Sequence, residues 1–255
     1  MDIQIFSDFH GEAYFDRPET IWAYVTPMAP VAVVAGDIDA KNFEVTCNEI
    51  AKKFELVIVL LGNHEWYRRD INWRPDRALL ADNVKLLDRE TYQHEDVLFV
   101  GATLWTDFKN ADWFVMHAAK DKINDFHVIK DANNEMYHRF TPALAADLHR
   151  KDRGFIEQVI TNPRDDDVKL VVVTHFLPTY ELVQPKWKQN PGTDMLNWYF
   201  AAQCDDLIEK SNAAAWIFGH THDRIDQNIF DVRCVCNPIG YPRENPDYQD
   251  MVIKV

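Results

Sequence analysis

Cysteine is scarce in this chain of 255 residues: Cys47, Cys204, Cys234 and Cys236 are the only four. That number excludes a fold built on disulfides. Cys234 and Cys236 lie two apart in a strand-like stretch and point the same way. Such a pair could ligate a metal or oxidise, but no second metal-spaced pair accompanies it, and burial in the core is the favoured reading. Long apolar runs are missing too. None approaches the ~20 residues that a membrane helix needs, so no membrane contact is expected. No cleavable leader is expected, because residues 2–6 already read as a strand. With little cysteine, this points to a reducing compartment, the cytoplasm. Internal repeats and low-complexity tracts are absent. Positive charge is in deficit: 27 Lys and Arg stand against 41 Asp and Glu, a formal net charge of −14. A chain this acidic repels polyanions, which disfavours non-specific nucleic-acid binding.

What the chain does contain is a series of short β-branched or aromatic runs: Ile3–Phe6, Val31–Ala35, Leu56–Leu61, Val97–Val100, Leu170–Val173 and Ala214–Phe218. Most stop at Gly, Asp, Asn or His. Helical patterns such as Phe43–Phe54 and Leu196–Lys210 fall between them, and Val232–Cys236 and Met251–Val255 add late strands. Strand, helix, strand predicts an α/β fold with its loops gathered at one sheet edge. Residues 1–255 are read as a single domain, with a helical insertion over about 104–165 that includes a helix from Pro142 to Ile160. Asn162–Asp167 is a charged, solvated loop.

The chemistry sits where the strands stop. Asp8 and His10 follow the first run, Gly36-Asp37 the second and Gly62-Asn63-His64-Glu65 the third. His175 follows a later run, and Gly219-His220-Thr221-His222 another. Residues i and i+2 at a strand end project to one face, so Asp8 and His10 can reach one ion together. The carboxylate of Asp37 has two oxygens, enough to bridge two ions. Asn63 offers a neutral amide oxygen, and His175, His220 and His222 offer imidazole nitrogens. A lone Asp-x-His or a lone buried histidine means little; five groups in order, each at a strand end, predict a pair of divalent metals. Donors without thiolate suit Mn²⁺, favoured here, or Fe, Zn, Ni or Co. His64-Glu65 is not a zinc-protease helix motif, because Arg68 stands where the second histidine belongs.

This ordered set resembles the calcineurin-like metallophosphoesterase superfamily, whose string of Asp-x-His, Gly-Asp, Gly-Asn-His followed by Glu or Asp, His and Gly-His-x-His is matched across residues 8–222. Thr103–Phe108 and Cys236–Pro242 are similar to a bacterial and phage-type branch. The resemblance implies a four-layer α-β-β-α sandwich of two mixed sheets. It implies that Asp8, His10 and His222 hold one metal, that Asn63, His175 and His220 hold the other, and that Asp37 bridges them. His64 would face the leaving-group oxygen as a catalytic acid. Two departures matter. Phe176 replaces a second histidine that this branch often carries. Gly36-Asp37 runs into Ile38–Asn42 without the arginine element of the family's protein phosphatases, which argues against phosphoprotein substrates.

The expected activity is therefore hydrolysis of a small phosphorylated or nucleotide-like ester, more readily a diester, by a water that two cations make acidic. The alternatives are a nuclease, a phosphomonoesterase, or a non-catalytic scaffold of the same fold. Glu65 is expected either to orient a nearby imidazole or to lie at the surface. Trp105, Asp107, Asn124, Asn237 and Tyr241 could frame the metal edge, although Trp105 also suits the core and Asn237-Pro238 a turn. His94, His117, His127, His138 and His149 have no motif partners and no assigned role.

Overall fold

The computed structural model describes residues 1–14, 25–133, 138–189 and 194–255. Eleven strands among them form two mixed sheets. The first contains β1 (Asp2–Phe6), β2 (Val31–Val34), β3 (Leu56–Val59), β4 (Val84–Leu86) and β11 (Met251–Lys254), in the order β11-β1-β2-β3-β4. The second contains β5 (Glu90–His94), β6 (Val97–Ala102), β7 (Lys169–Thr174), β8 (Ala215–Ile217), β9 (Ile225–Ile229) and β10 (Val232–Cys236), in the order β5-β6-β7-β8-β10-β9. Each sheet is parallel at its centre and antiparallel at the edges formed by β11, β5 and β9.

Strand alternation builds the layers. Ile3, Ile5, Val31, Val33 and Ile58 face Phe99, Val171, Val173, Ile217 and Val235 across the gap between the sheets. The intervening residues face outward. Phe6, Val34 and Val57 pack under Phe43, Cys47 and Ile50 of the helix Phe43–Ala51. Val172, Trp216 and Cys234 pack under Ile156 and Ile160 of the helix Pro142–Thr161 and under Leu207 and Ile208 of the helix Asp205–Ser211. The result is helices on sheet on sheet on helices, the α-β-β-α sandwich that the sequence led us to expect. Each fully buried Val, Ile or Phe is worth about 1.5–3 kcal/mol against exposure. All four cysteines are buried and free. Burial pushes the Cys234 thiol up to about 12, so it is an inert packing group rather than a reactive one.

Among the described residues four helices, Phe108–Ala111, Trp113–Lys122, Asp125–Val128 and Pro142–Thr161, lie in the crossover between the parallel neighbours β6 and β7. Part of this stretch, residues 134–137, lies outside the described residues. Thr141 accepts from the backbone N–H of Leu144 and Pro142 takes the first turn, a cap that starts the long helix. The expected helix over 196–210 is instead broken. Ala201 leaves it to bridge to Leu177, and the Ala202 N–H donates to the Leu177 carbonyl at 2.8 Å. That pairing draws the chain in beside β7 and ends the first helix at Phe200.

Among the described residues no helix is long and apolar enough to cross a membrane. The parallel strands β1, β2, β3, β7 and β8 all deliver their C-terminal ends to one edge, where α/β sheets bind ligands.

Candidate metal centre

Glycine lets those strand ends meet. A Cβ on Gly36, at φ 85°, would lie 2.5 Å from His175 Nδ1 and 2.7 Å from the backbone nitrogen of Gly62. One on Gly62 would lie 2.5 Å from the Asp37 backbone nitrogen. No side chain fits in either place, so each motif glycine permits the close approach of β2, β3 and β7. The residues they present hold unusual backbone. Asp8, His10, Asp37, His220 and His222 all have φ between 47° and 69°, a left-handed conformation that costs non-glycine residues about 1–2 kcal/mol each. Strain of this kind persists where the surrounding structure enforces it, as at functional sites.

The seven candidate ligands converge. Asp8, His10 and His222 place donor atoms within 4.8 Å of one another, and so do Asp37, His175 and His220. Asn63 joins the second group, its Oδ1 lying 3.0 Å from His175 Nε2. Asp37 sits between the groups. Its Oδ2 is 3.4 Å from His175 Nε2 and 3.8 Å from His10 Nε2, while its Oδ1 accepts from the His64 backbone N–H at 2.9 Å. Asp8 accepts from the His220 N–H at 2.9 and 3.2 Å, which ties β1 to the β8 loop.

The tautomers tell what the cluster lacks internally. His10 Nδ1 faces Glu12 Oε1 at 3.3 Å and His222 Nδ1 faces Glu244 Oε2 at 2.7 Å. Carboxylates only accept, so both Nδ1 atoms carry hydrogen and, in the neutral rings, both Nε2 atoms are bare. Those two Nε2 atoms lie 3.0 Å apart. His175 Nδ1 donates to the Ala35 carbonyl at 2.8 Å, which aims its Nε2 at two acceptors, Asn63 Oδ1 and Asp37 Oδ2. His220 Nε2 is buried and has no hydrogen-bond partner. Lone pairs gathered in this way need a positive charge among them, and the carboxylate, amide and imidazole donors fit divalent cations.

Electrostatics agrees. Burial opposes charge on His175, but Asp37, by Coulomb attraction and hydrogen bond, and Asp8 outweigh it and lift its pKa to about 9. Burial raises and the surrounding histidines lower the pKa of Asp37, and the histidines win; it stays well below the usual carboxylate range. His220 is driven the other way, by burial and the His175 charge, and remains neutral.

His64 stands beside the ligands, with its ring stacked on Tyr67 at 4.0 Å between centroids. Its Nδ1 is 2.9 Å from Glu12 Oε1 and its Nε2 is 3.3 Å from the Tyr241 hydroxyl. Burial works against the imidazolium, but Asp37 and Glu12 prevail and the pKa rises to about 9. Glu65, by contrast, orients no imidazole. It is fully buried and accepts from the backbone N–H groups of Asp37, Ile38, Asp39 and Gly62 at 2.7–3.2 Å. It fastens the second motif to the third. Burial, then the charges of Asp37 and Glu12, push its pKa up to about 8.

A cleft of about 560 Å³ opens from the metal groups. Asn124 and Tyr241 line it, and Tyr241 stacks on His10 at 4.2 Å. The other suggested framing residues serve the fold. Trp105 packs on Trp66, Phe140 and Phe176. Asp107 accepts from the N–H groups of Lys109 and Asn110. Asn237 is buried and donates to the Ile5 carbonyl and the Tyr248 hydroxyl. His149 is buried against the Trp105 carbonyl. Sequence reasoning missed Glu12, Glu244 and Asp125. The only available signal was Glu12 standing two residues after His10.

Comparison with known proteins follows the same line. Residues 1–224 match the family model described as calcineurin-like phosphoesterase. An uncharacterized protein of Acanthamoeba polyphaga mimivirus is 22% identical over 230 residues, covering 82% of this chain and 76% of that one. The crystal structure of a phosphopantetheinyl hydrolase from Mycobacterium tuberculosis superposes with a TM-score of 0.70 at 18% identity, covering 98% of this chain and 95% of that one. At that identity the likeness is one of fold.

Proposed function

We propose, on the premise that this chain belongs to the calcineurin-like phosphoesterase family and is a metal-dependent phosphoric ester hydrolase, that it is a phosphodiesterase for small substrates carrying an apolar or flat organic group. The observation that carries the metal assignment is the facing of His10 Nε2 and His222 Nε2 at 3.0 Å, both acceptors in the neutral rings, beside the buried His220 Nε2 that has no hydrogen-bond partner. In this reading Asp8, His10 and His222 hold one divalent ion, Asn63, His175 and His220 hold the second, and Asp37 touches both. Such a pair, when bound, makes water acidic near neutral pH and offsets the charge of phosphoryl oxygens. Manganese is our first choice of ion.

The chain's own residues do the rest. His64 holds a proton at Nε2, aimed into the cleft, for the departing oxygen; an acid so placed is worth about 10²–10⁴-fold. Glu12 fixes the His64 ring by its Nδ1, and Tyr67 and Tyr241 confine it. The cleft beyond is walled by Ile123, Leu177, Val183, Leu196 and Phe200, with Lys122 and Lys186 as its cations. An apolar wall of that extent favours an ester with an organic group on each side of phosphorus over a bare sugar phosphate. Trp187 lines the cleft half-exposed, with its indole N–H donating to Asp223 at 2.7 Å. That bond holds the ring as a face for a flat group. The acidic chain and the missing arginine element after Asp37 oppose polynucleotide and phosphoprotein substrates.

The test is hydrolysis of bis-p-nitrophenyl phosphate and p-nitrophenyl phosphate with Mn²⁺ and after chelation. Faster turnover of the diester, abolished by chelation, is the expected result. Turnover of the monoester alone would refute the diesterase reading, and turnover of neither would leave a scaffold.

A further inference from the structure

We infer that Asp125, supplied by the helical crossover between β6 and β7, is a positioning residue that sets the amide of Asn63 for metal binding; the inference rests on the two-metal reading above. An asparagine amide has an oxygen and an NH₂ on one flat group, and only the oxygen can ligate a cation. Something must decide which end faces the ions. Asn63 Nδ2 donates to Asp125 Oδ1 at 2.9 Å. The opposite end, Oδ1, is thereby turned toward His175 Nε2. A carboxylate accepts and never donates while ionised, so the reversed amide would set oxygen against oxygen there.

Asp125 is built for this. It is 1% exposed, and a carboxylate so deeply buried is costly unless its oxygens are satisfied. Tyr67 donates to the same Oδ1 at 2.9 Å, and the Tyr199 hydroxyl donates to Oδ2. Two tyrosines from different elements therefore hold the carboxylate, and the carboxylate holds the ligand. Phe126, the next residue, is anchored among Phe108, Phe140 and Tyr199. The crossover thus completes the second ion site without supplying a ligand itself. Groups that orient a ligand in this way typically change metal affinity about 10–100-fold when removed.

Calorimetric titration of the full chain with Mn²⁺ tests this without recourse to turnover. For Asp125→Ala we expect the first ion to bind as in wild type and the second about 10–100-fold more weakly. Asn63→Ala should lose the same site, and adding Asp125→Ala to it should cost nothing further, because the two act through one bond. Trp113→Ala, an exposed position on the same crossover, should hold both ions within about threefold of wild type. If Asp125→Ala fails to fold, Asp125→Leu, closer in volume and without an acceptor oxygen, should still weaken the second ion. Wild-type affinity for both ions in a folded Asp125→Ala or Asp125→Leu variant overturns the inference, as does equal loss in Trp113→Ala. A wild-type chain that binds no ion pair refutes the metal reading itself, and this inference falls with it.

Discussion

Glu12 Oε1 lies 2.9 Å from His64 Nδ1, and the same oxygen lies 3.3 Å from His10 Nδ1. One carboxylate therefore orients both a candidate ligand and the candidate acid. Its negative charge helps lift the His64 pKa to about 9 against the opposing effect of burial. An acid must be protonated to act, so activity should fall as pH rises through the His64 pKa. Glu12→Gln keeps the shape and removes the charge. The alkaline limb of kcat against pH should move to lower pH, and an unmoved limb would mean that His64 is not the titrating acid.

Loss of metal and loss of rate should separate by residue. Asp8→Ala and Asp37→Ala should lose bound metal and activity together. His64→Ala should retain metal and lose about 10²–10⁴-fold in rate, most severely on esters with poor leaving groups. Metal content measured beside kcat on two esters of different leaving-group pKa checks this.

Much of the candidate centre was legible because each candidate ligand closes a β-branched run, and a parallel sheet brings such endings to one edge. Ile5 and Phe6 point to Asp8, and Val172 and Val173 to His175, without any knowledge of the fold. The partners behind the ligands were not legible. Glu244 reaches His222 from 22 residues away and Asp125 reaches Asn63 from 62, separations that no local period encodes. Glu65, expected either to orient an imidazole or to lie at the surface, does neither, because its backbone position turns it inward to four N–H groups. The edge strands β5 and β9 escaped notice because Thr91–His94 and Asp226–Asn228 are polar on the face that meets water. The expected Leu196–Lys210 helix failed at Ala201, where a tertiary pairing with Leu177 overrode local propensity.

Metal uptake should release protons. With a pKa of about 9, His175 carries a proton at pH 7 in the metal-free chain, and a ligating imidazole must give it up. Affinity should therefore rise as pH climbs from 7 toward 9 and fall in acid. Titrations in buffers of different ionisation enthalpy measure the protons directly. Zero release at pH 7 would remove His175 from the ligand set.

Trp187→Ala should raise KM for diesters with a flat or apolar arm by about 5- to 30-fold, the worth of roughly 1–2 kcal/mol of stacking. It should leave kcat on those esters close to wild type, since in this reading the ring holds the organic arm and His64 holds the proton. Equal KM values for the variant and wild type would assign Trp187 to the surface rather than to the substrate.

Crystals grown with Mn²⁺ and measured at the manganese absorption edge put the question most directly. Two anomalous peaks about 3.5–4 Å apart are expected, one against Asp8, His10 and His222, the other against Asn63, His175 and His220, with Asp37 reaching both. A single peak elsewhere, or none among these seven side chains, would contradict the two-metal reading.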